Sequence, residues 1–316
     1  MRQGLNRRQF GQFIAGGTIA LWLHGCGQQE QSTNQKPQVV STSTILTDLA
    51  STIAGDSVQV IGILKPGADP HTYEPVPADT VAMEKANLIL YNGYNLEPGL
   101  IRLIKAAGVN ARQVAVGEVI TPLQLEKEGQ KVPDPHVWGD VQNVAKMTIV
   151  VRDALVQLVP NDREKMTQNA DRLIAELNRL DGWIKQQVQT IPAANRLLVT
   201  THDAFQYYGK AYQLAIAGTL IGISTEEQPS AQTVQRLVQS IRSARVPAIF
   251  AETTINPALI QTVAQEAGVK LAPQQLYSDS IGAVGSSGET YIKMMAANTT
   301  TIVQALGGRV IPFQAG

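Results

Sequence analysis

The chain contains four histidines and one cysteine, so imidazole chemistry can be followed residue by residue. His24 lies in an N-terminal apolar stretch, leaving His71, His136 and His202 for the body of the protein. His71 follows a strand-like run in Lys-Pro-Gly-Ala-Asp-Pro-His, and His136 sits in Pro-Asp-Pro-His-Val-Trp ahead of a helix. His202 follows the apolar run Leu197–Thr201, and Asp279, in Tyr-Ser-Asp-Ser-Ile-Gly, closes the last loop before the terminal helix. His71, His202 and Asp279 thus fall beyond carboxyl ends of strands, on the rim where open α/β sheets take ligands. Three neutral imidazoles and one carboxylate suit a borderline divalent ion such as Zn(II), at ligand distances of about 2.0 to 2.2 Å. No two of the four are close in sequence, so spacing alone leaves a second reading open, in which each His is a surface or capping residue and Asp-Pro merely initiates a turn.

Other chemistries find less support. The chain has no His-Glu-x-x-His, no phosphate-binding Gly-rich loop ending in Lys-Ser or Lys-Thr, and no Gly-x-Ser-x-Gly elbow. Gly282, Gly285 and Gly288 read as a mobile loop beside Asp279. Glu252, at a strand end in Phe-Ala-Glu-Thr-Thr, is a second carboxylate near the cleft, read as structural or hydrogen-bonding. Glu118, Glu126, Glu128 and Asp134 fall in a long polar loop and read as a solvated face. One cysteine excludes an intrachain disulfide and a Cys-rich cluster. With 26 basic against 26 acidic residues and no basic block, nothing marks a nucleic-acid partner.

Positioning these residues requires a frame. The 316 residues exceed a comfortable single core, which predicts two globular domains. Strand-like runs at Val39–Thr44, Val58–Leu64, Leu88–Tyr91 and Gln113–Val116 alternate with helix-like runs at Ile45–Ala54, Ala78–Ala86 and Glu97–Ala107. The alternation predicts a parallel sheet with covering helices. It resumes with strands at Arg196–Thr201, Ala215–Gly218, Ala248–Ala251 and Val269–Ala272, separated by helices around Tyr207, Leu237 and Val263. Between the halves, apolar residues from Met166 to Val188 step by three or four, which predicts one helix from Asn161 to Val188, capped by Asn161 with Glu164 and stopped by Ile191-Pro192. The expected fold is therefore α/β, with two lobes joined by a long rigid linker helix: an N-terminal lobe at 38–160, the linker at 161–190 and a C-terminal lobe at 191–316, the other reading of the helix being an ordinary surface helix of one large domain.

Residues 1–25 read as a signal peptide: a positive start, then an apolar run of about 13 residues, short of the roughly 20 that a membrane-spanning helix needs. Leu23-His24-Gly25-Cys26 is similar to a bacterial lipobox, which makes Cys26 the lipid anchor, and Arg7-Arg8-Gln9-Phe10 resembles a twin-arginine export signal. Residues 26–37 read as a flexible, Gln- and Ser-rich tether. Removing residues 1–25 takes away three Arg and no acid, leaving 23 basic against 26 acidic side chains.

Gly67-Ala-Asp-Pro-His-Thr-Tyr-Glu-Pro75, Leu88-Ile-Leu-Tyr-Asn-Gly93 with Leu96-Glu97, Asp134-Pro-His-Val-Trp138, Thr200-Thr-His-Asp-Ala-Phe205, Tyr277-Ser-Asp-Ser-Ile-Gly282 and Tyr291-Ile-Lys-Met-Met295 follow one another along the chain. In this order they resemble the solute-binding lipoproteins of zinc and manganese ABC importers, the ZnuA or TroA type. The resemblance implies two α/β lobes that clamp one metal ion, ligand roles for His71, His136, His202 and Asp279, and lipidation at Cys26. It implies a receptor instead of an enzyme, with an ABC permease and its ATPase as partners, working as a monomer at the outer, periplasmic face of the cytoplasmic membrane. Two departures bear on the cargo. The loop Gly117–Pro135 lacks the His-rich insertion of many zinc receptors, whereas His202 stands where manganese receptors commonly have Glu. Where the family often has Leu-Asp-Pro after the second His and Trp, this chain has Gly139-Asp140-Val141. Zn(II) is the expected cargo, with Mn(II) as the alternative; by the ordinary affinity order zinc outcompetes manganese at such ligation whatever the physiological cargo is. Readings of another class are a secreted zinc hydrolase, in which Asp279 would serve as base, and an adhesin with a structural metal.

Overall fold

The computed structural model describes residues 36–127 and 129–314. The signal segment, Arg7-Arg8, Cys26, most of the tether and Glu128 lie outside the described residues.

The N-terminal half alternates as expected: β1 (Gln38–Ser41), α1 (Thr44–Ala54), β2 (Gln59–Gly62), α2 (Pro77–Lys85), β3 (Leu88–Tyr91), α3 (Pro98–Ala107) and β4 (Arg112–Ala115). The four strands form a parallel sheet in the order β2-β1-β3-β4. Val39, Val40, Leu88, Ile89 and Leu90 are all buried, the continuous apolar run that a sheet covered on both faces requires. Local chemistry sets the boundaries. Ser43 caps α1 by accepting from Leu46 N at 3.2 Å, and Pro77 and Pro98 open α2 and α3, where a missing N–H does no harm.

The polar loop expected at 117–135 contains an antiparallel hairpin, β5 (Gln124–Lys127) with β6 (Gln130–Pro133). Its alternating pattern is only four residues long on each side, too short to stand out against the charged composition. Next come α4 (Val141–Leu158) and α5 (Arg163–Gln189). Asp140 caps α4 by accepting from Gln142 N at 2.9 Å, so Gly139-Asp140-Val141 starts this helix without the Leu-Asp-Pro pattern. The α5 helix has 27 residues, a rod of about 40 Å. It starts two residues later than expected and has no side-chain cap, because a 3-10 turn over Pro160–Asp162 occupies the place given to an Asn161 cap.

The C-terminal half contains β7 (Leu197–Thr200), α6 (Gln206–Tyr212), β8 (Ala215–Thr219), α7 (Ala231–Ala244), β9 (Ala248–Ile249), α8 (Ala258–Ala267), β10 (Lys270–Leu271) and α9 (Tyr291–Ala305). β7 pairs with β8 and β9 with β10, both parallel. Phe250 N donates to Val199 O at 2.9 Å and stitches the two pairs together, giving β8-β7-β9-β10, the same order as in the first half.

The main core runs from Val39 through Val137, Leu177 and Leu276 to Ile302, so the two halves share it, and two smaller clusters cover the outer faces of the sheets. α5 packs on α1, α4 and α9 along this core. Among the described residues no helix is long and apolar enough to cross a membrane.

Candidate metal centre

His71, His136, His202 and Asp279 each offer a ligand atom, and the four atoms lie within 4.8 Å of one another. They arrive from four separate segments, and each is held by local chemistry. In the turn after β2, Asp69 Oδ1 accepts from His71 N at 2.9 Å. The second Asp-Pro-His uses the same device and extends it: Asp134 Oδ1 accepts from His136 N at 3.0 Å and from His136 Nδ1 at 2.8 Å. Beyond β7, Glu252 Oε1 accepts from His202 N at 2.8 Å while its Oε2 accepts from His202 Nδ1. Asp279 is fixed through its neighbours. Ser278 O accepts from Trp138 Nε1 at 2.9 Å, and Ser280 Oγ accepts from Gly67 N at 2.8 Å.

These partners settle the tautomers. A carboxylate facing Nδ1 of His136 and of His202 keeps a proton on that nitrogen and turns the Nε2 edge towards the cluster. His71 Nε2 stands 3.2 Å from His136 Nε2. Asp279 lies 3.2 Å from His202 Nε2, 3.6 Å from His136 Nε2 and 4.0 Å from His71 Nε2. An ion with four ligands at about 2.0 to 2.1 Å in a tetrahedron separates them by about 3.3 to 3.4 Å, so the atoms now 3.2 to 4.0 Å apart, and all within 4.8 Å, would draw together around it.

All four residues are buried, His71 being the most exposed at 4%. His202 Nε2 and both carboxylate oxygens of Asp279 have no hydrogen-bond partner. Buried polar atoms left without partners are costly, and here they converge on one point. Burial pushes the His71 imidazole down to about 3, with Asp279 opposing and the charge of neighbouring imidazoles adding to the shift. Burial also works against charge on His202, but Glu252 and Asp279 outweigh it and hold that imidazole well above its ordinary value. The carboxyl of Asp279 is held well below the usual range: burial would raise it, and the three imidazoles, His202 foremost, outweigh burial.

Of three nearby carboxylates, only Asp134 departs from the sequence reading. Asp134, expected on a solvated face, is fully buried beside His136, because the hairpin folds back and Tyr207 donates to Asp134 O at 3.1 Å. The repeated Asp two residues before His was the available signal. Glu252 is the hydrogen-bonding residue expected, but nothing in sequence linked it to His202, 50 positions away. Glu118, by contrast, lines an open cavity with His71. The glycine-bearing segment after Asp279 is a closed turn, with Gly282 N donating to Gly288 O at 2.7 Å. Tyr277 packs so closely on Gly288 that a Cβ there would lie 2.5 Å from the ring.

A family model described as zinc-uptake complex component A, periplasmic, matches residues 39–305. The manganese-binding lipoprotein MntA of Halalkalibacterium halodurans is 36% identical over 291 residues, covering 91% of this chain and 95% of that protein. The zinc-binding protein TroA of Treponema pallidum is 34% identical over 297 residues, covering 93% and 96%. The solved structure of periplasmic zinc binding protein TroA from Treponema pallidum matches with a TM-score of 0.81, over 86% of this chain and 99% of that one. Fe(III)-bound YtgA from Chlamydia trachomatis, 30% identical, matches with a TM-score of 0.77 over 87% and 100%.

Proposed function

This chain belongs to the family of zinc-uptake complex component A, periplasmic, and from that premise we propose that it captures Zn(II) outside the cytoplasm through His71, His136, His202 and Asp279 and passes the ion to the permease of an ABC importer. The observation that carries this reading is the convergence of three imidazole edges and an unpartnered buried carboxylate, with all four ligand atoms within 4.8 Å of one another. The metal is cargo, so the protein must bind and release it without transforming it.

Nitrogen-rich ligation favours Zn(II) over Mn(II) in the ordinary affinity order. Manganese is the second reading, supported by the name of the 36% identical relative. Competitive loading of metal-free protein with equal Zn(II) and Mn(II), followed by elemental analysis, tests which ion the site prefers. One Zn(II) per chain is expected, and recovered manganese would overturn the zinc assignment. A hydrolytic zinc keeps one coordination position for water, with a base beside it. Here Asp134 and Glu252 are engaged by imidazole nitrogens and Asp279 stands among the ligand atoms, which supports a receptor.

The same reading makes the protein a lipid-anchored monomer, with Cys26 as the lipidated residue and Arg7-Arg8 as a twin-arginine export signal. Among the described residues no helix is long and apolar enough to cross a membrane, so the lipid on Cys26 is the expected hold. Cys26→Ala should therefore appear in the soluble fraction, and retention after a high-salt wash would refute the anchor.

A further inference from the structure

The four ligand residues are buried, so an ion can reach or leave them only if part of their cover moves. The cover is thinnest over His71. A cavity of about 420 Å³ opens on this residue, with Tyr94 and Glu118 from the N-terminal half on one wall and Ile223, Ser224 and Glu226 on the other. The second wall belongs to the segment between β8 and α7. Its start is anchored, since Leu220 N and Ile221 N both donate to Thr201 O, at 3.1 and 2.8 Å. Beyond that point it reaches across to the N-terminal half through two side chains. Thr225 Oγ1 donates to Asp69 Oδ2 at 2.6 Å, and the other oxygen of the same Asp69 accepts from His71 N. Glu227 pairs with Lys127 of the hairpin, Nζ to Oε1 2.7 Å, with both side chains more than a third exposed. The hairpin continues through Asp134 into His136, so the segment is clasped to both strands of chain that carry the N-terminal ligands.

Resting on the receptor reading above, we propose that residues 220–230 form the gate on the cargo's path to His71, latched on the outside by Glu227 with Lys127 and on the inside by Thr225 with Asp69. Neither clasp touches a ligand nitrogen, and a half-exposed ion pair opens readily. A gate of this kind controls rates. The clasps bond no ligand nitrogen, so weakening them should speed loading and release together and leave the equilibrium nearly unchanged.

The test uses the full chain loaded with one Zn(II). Release is followed by stopped flow into excess chromophoric chelator, loading by competition with a zinc dye, and affinity by equilibrium titration. Lys127→Glu should raise both rates about two- to fivefold with affinity changed by less than about twofold, as suits an exposed pair. Thr225→Val should act in the same direction, and the charge swap Lys127→Glu with Glu227→Lys should return both rates to those of the parent. Unchanged rates in the two single variants, or faster release without faster loading, would overturn the gate. A parent chain that takes up no Zn(II) would instead reject the receptor reading on which the gate depends.

Discussion

The two halves of the molecule share a strand order and deliver side chains of the candidate centre to the same point, yet they do so differently. The N-terminal half uses one short device twice: an Asp two residues ahead of a His accepts from the imidazole's own backbone N–H. The C-terminal half uses a distant one, with Glu252, three residues beyond β9, reaching across to His202 after β7. The charge differs too. His71 is pushed down to about 3 by burial and stays neutral, while His202 and Asp279 form the strongly polarised side of the centre. A common frame therefore does not dictate how a site is built. The loops at the strand ends do, and they can rely on local or long-range support.

The largest expected effect comes from removing the polarised side. Asp279→Ala or His202→Ala should lower Zn(II) affinity by more than about a hundredfold, beyond the ten- to hundredfold typical of groups that only support a ligand. An Asp279→Ala chain with near-parent affinity in an equilibrium titration would remove the carboxylate from the centre.

Next come the supporting carboxylates, which set the two Asp-Pro-His turns against each other. Asp134 bonds both the backbone N and the Nδ1 of His136, whereas Asp69 bonds only the backbone N of His71. Asp134→Asn and Glu252→Gln should each weaken binding by about ten- to hundredfold, and Asp69→Asn by less than about tenfold. Equal losses for Asp69 and Asp134 would mean that the ring contact adds nothing.

Protons give a third contrast. In the metal-free chain His202, held above its ordinary pKa, carries a proton at neutral pH that must leave before Nε2 can bind an ion, whereas His71 has none to lose. Loading at pH 7 should therefore release about one proton from His202, and affinity should rise by about tenfold per pH unit while His202 remains protonated. Loading in weakly buffered solution with a pH electrode measures this release. No release would show that His202 is neutral before the metal arrives.

The smallest effect separates frame from site. Asp140→Ala removes the cap of α4 and should lower stability by about 1 kcal/mol without altering affinity, as read by denaturant unfolding and titration of the same sample.

The alternation of strands and helices was legible because each element carries its own periodicity, and β3 and α3 fall within a residue of expectation. His71, His136, His202 and Asp279 could be singled out because the chain has so few imidazoles. The hairpin β5–β6 was not legible, since four-residue strands rich in Gln, Glu and Lys have no apolar stripe. Asp134 was misplaced, and the partner of Glu252 was not legible, for a related reason. Burial of a carboxylate depends on what folds over it, and Tyr207 and His202 come from distant segments.

The central claim is that three imidazoles and one carboxylate hold a single ion. Zinc-edge X-ray absorption of the Zn(II)-loaded full chain tests it most directly. Four nitrogen or oxygen ligands at about 2.0 to 2.1 Å are expected, with outer-shell scattering from three imidazole rings that falls to two rings in His202→Ala. A first shell with one imidazole or none, or a spectrum unchanged in His202→Ala, would contradict it.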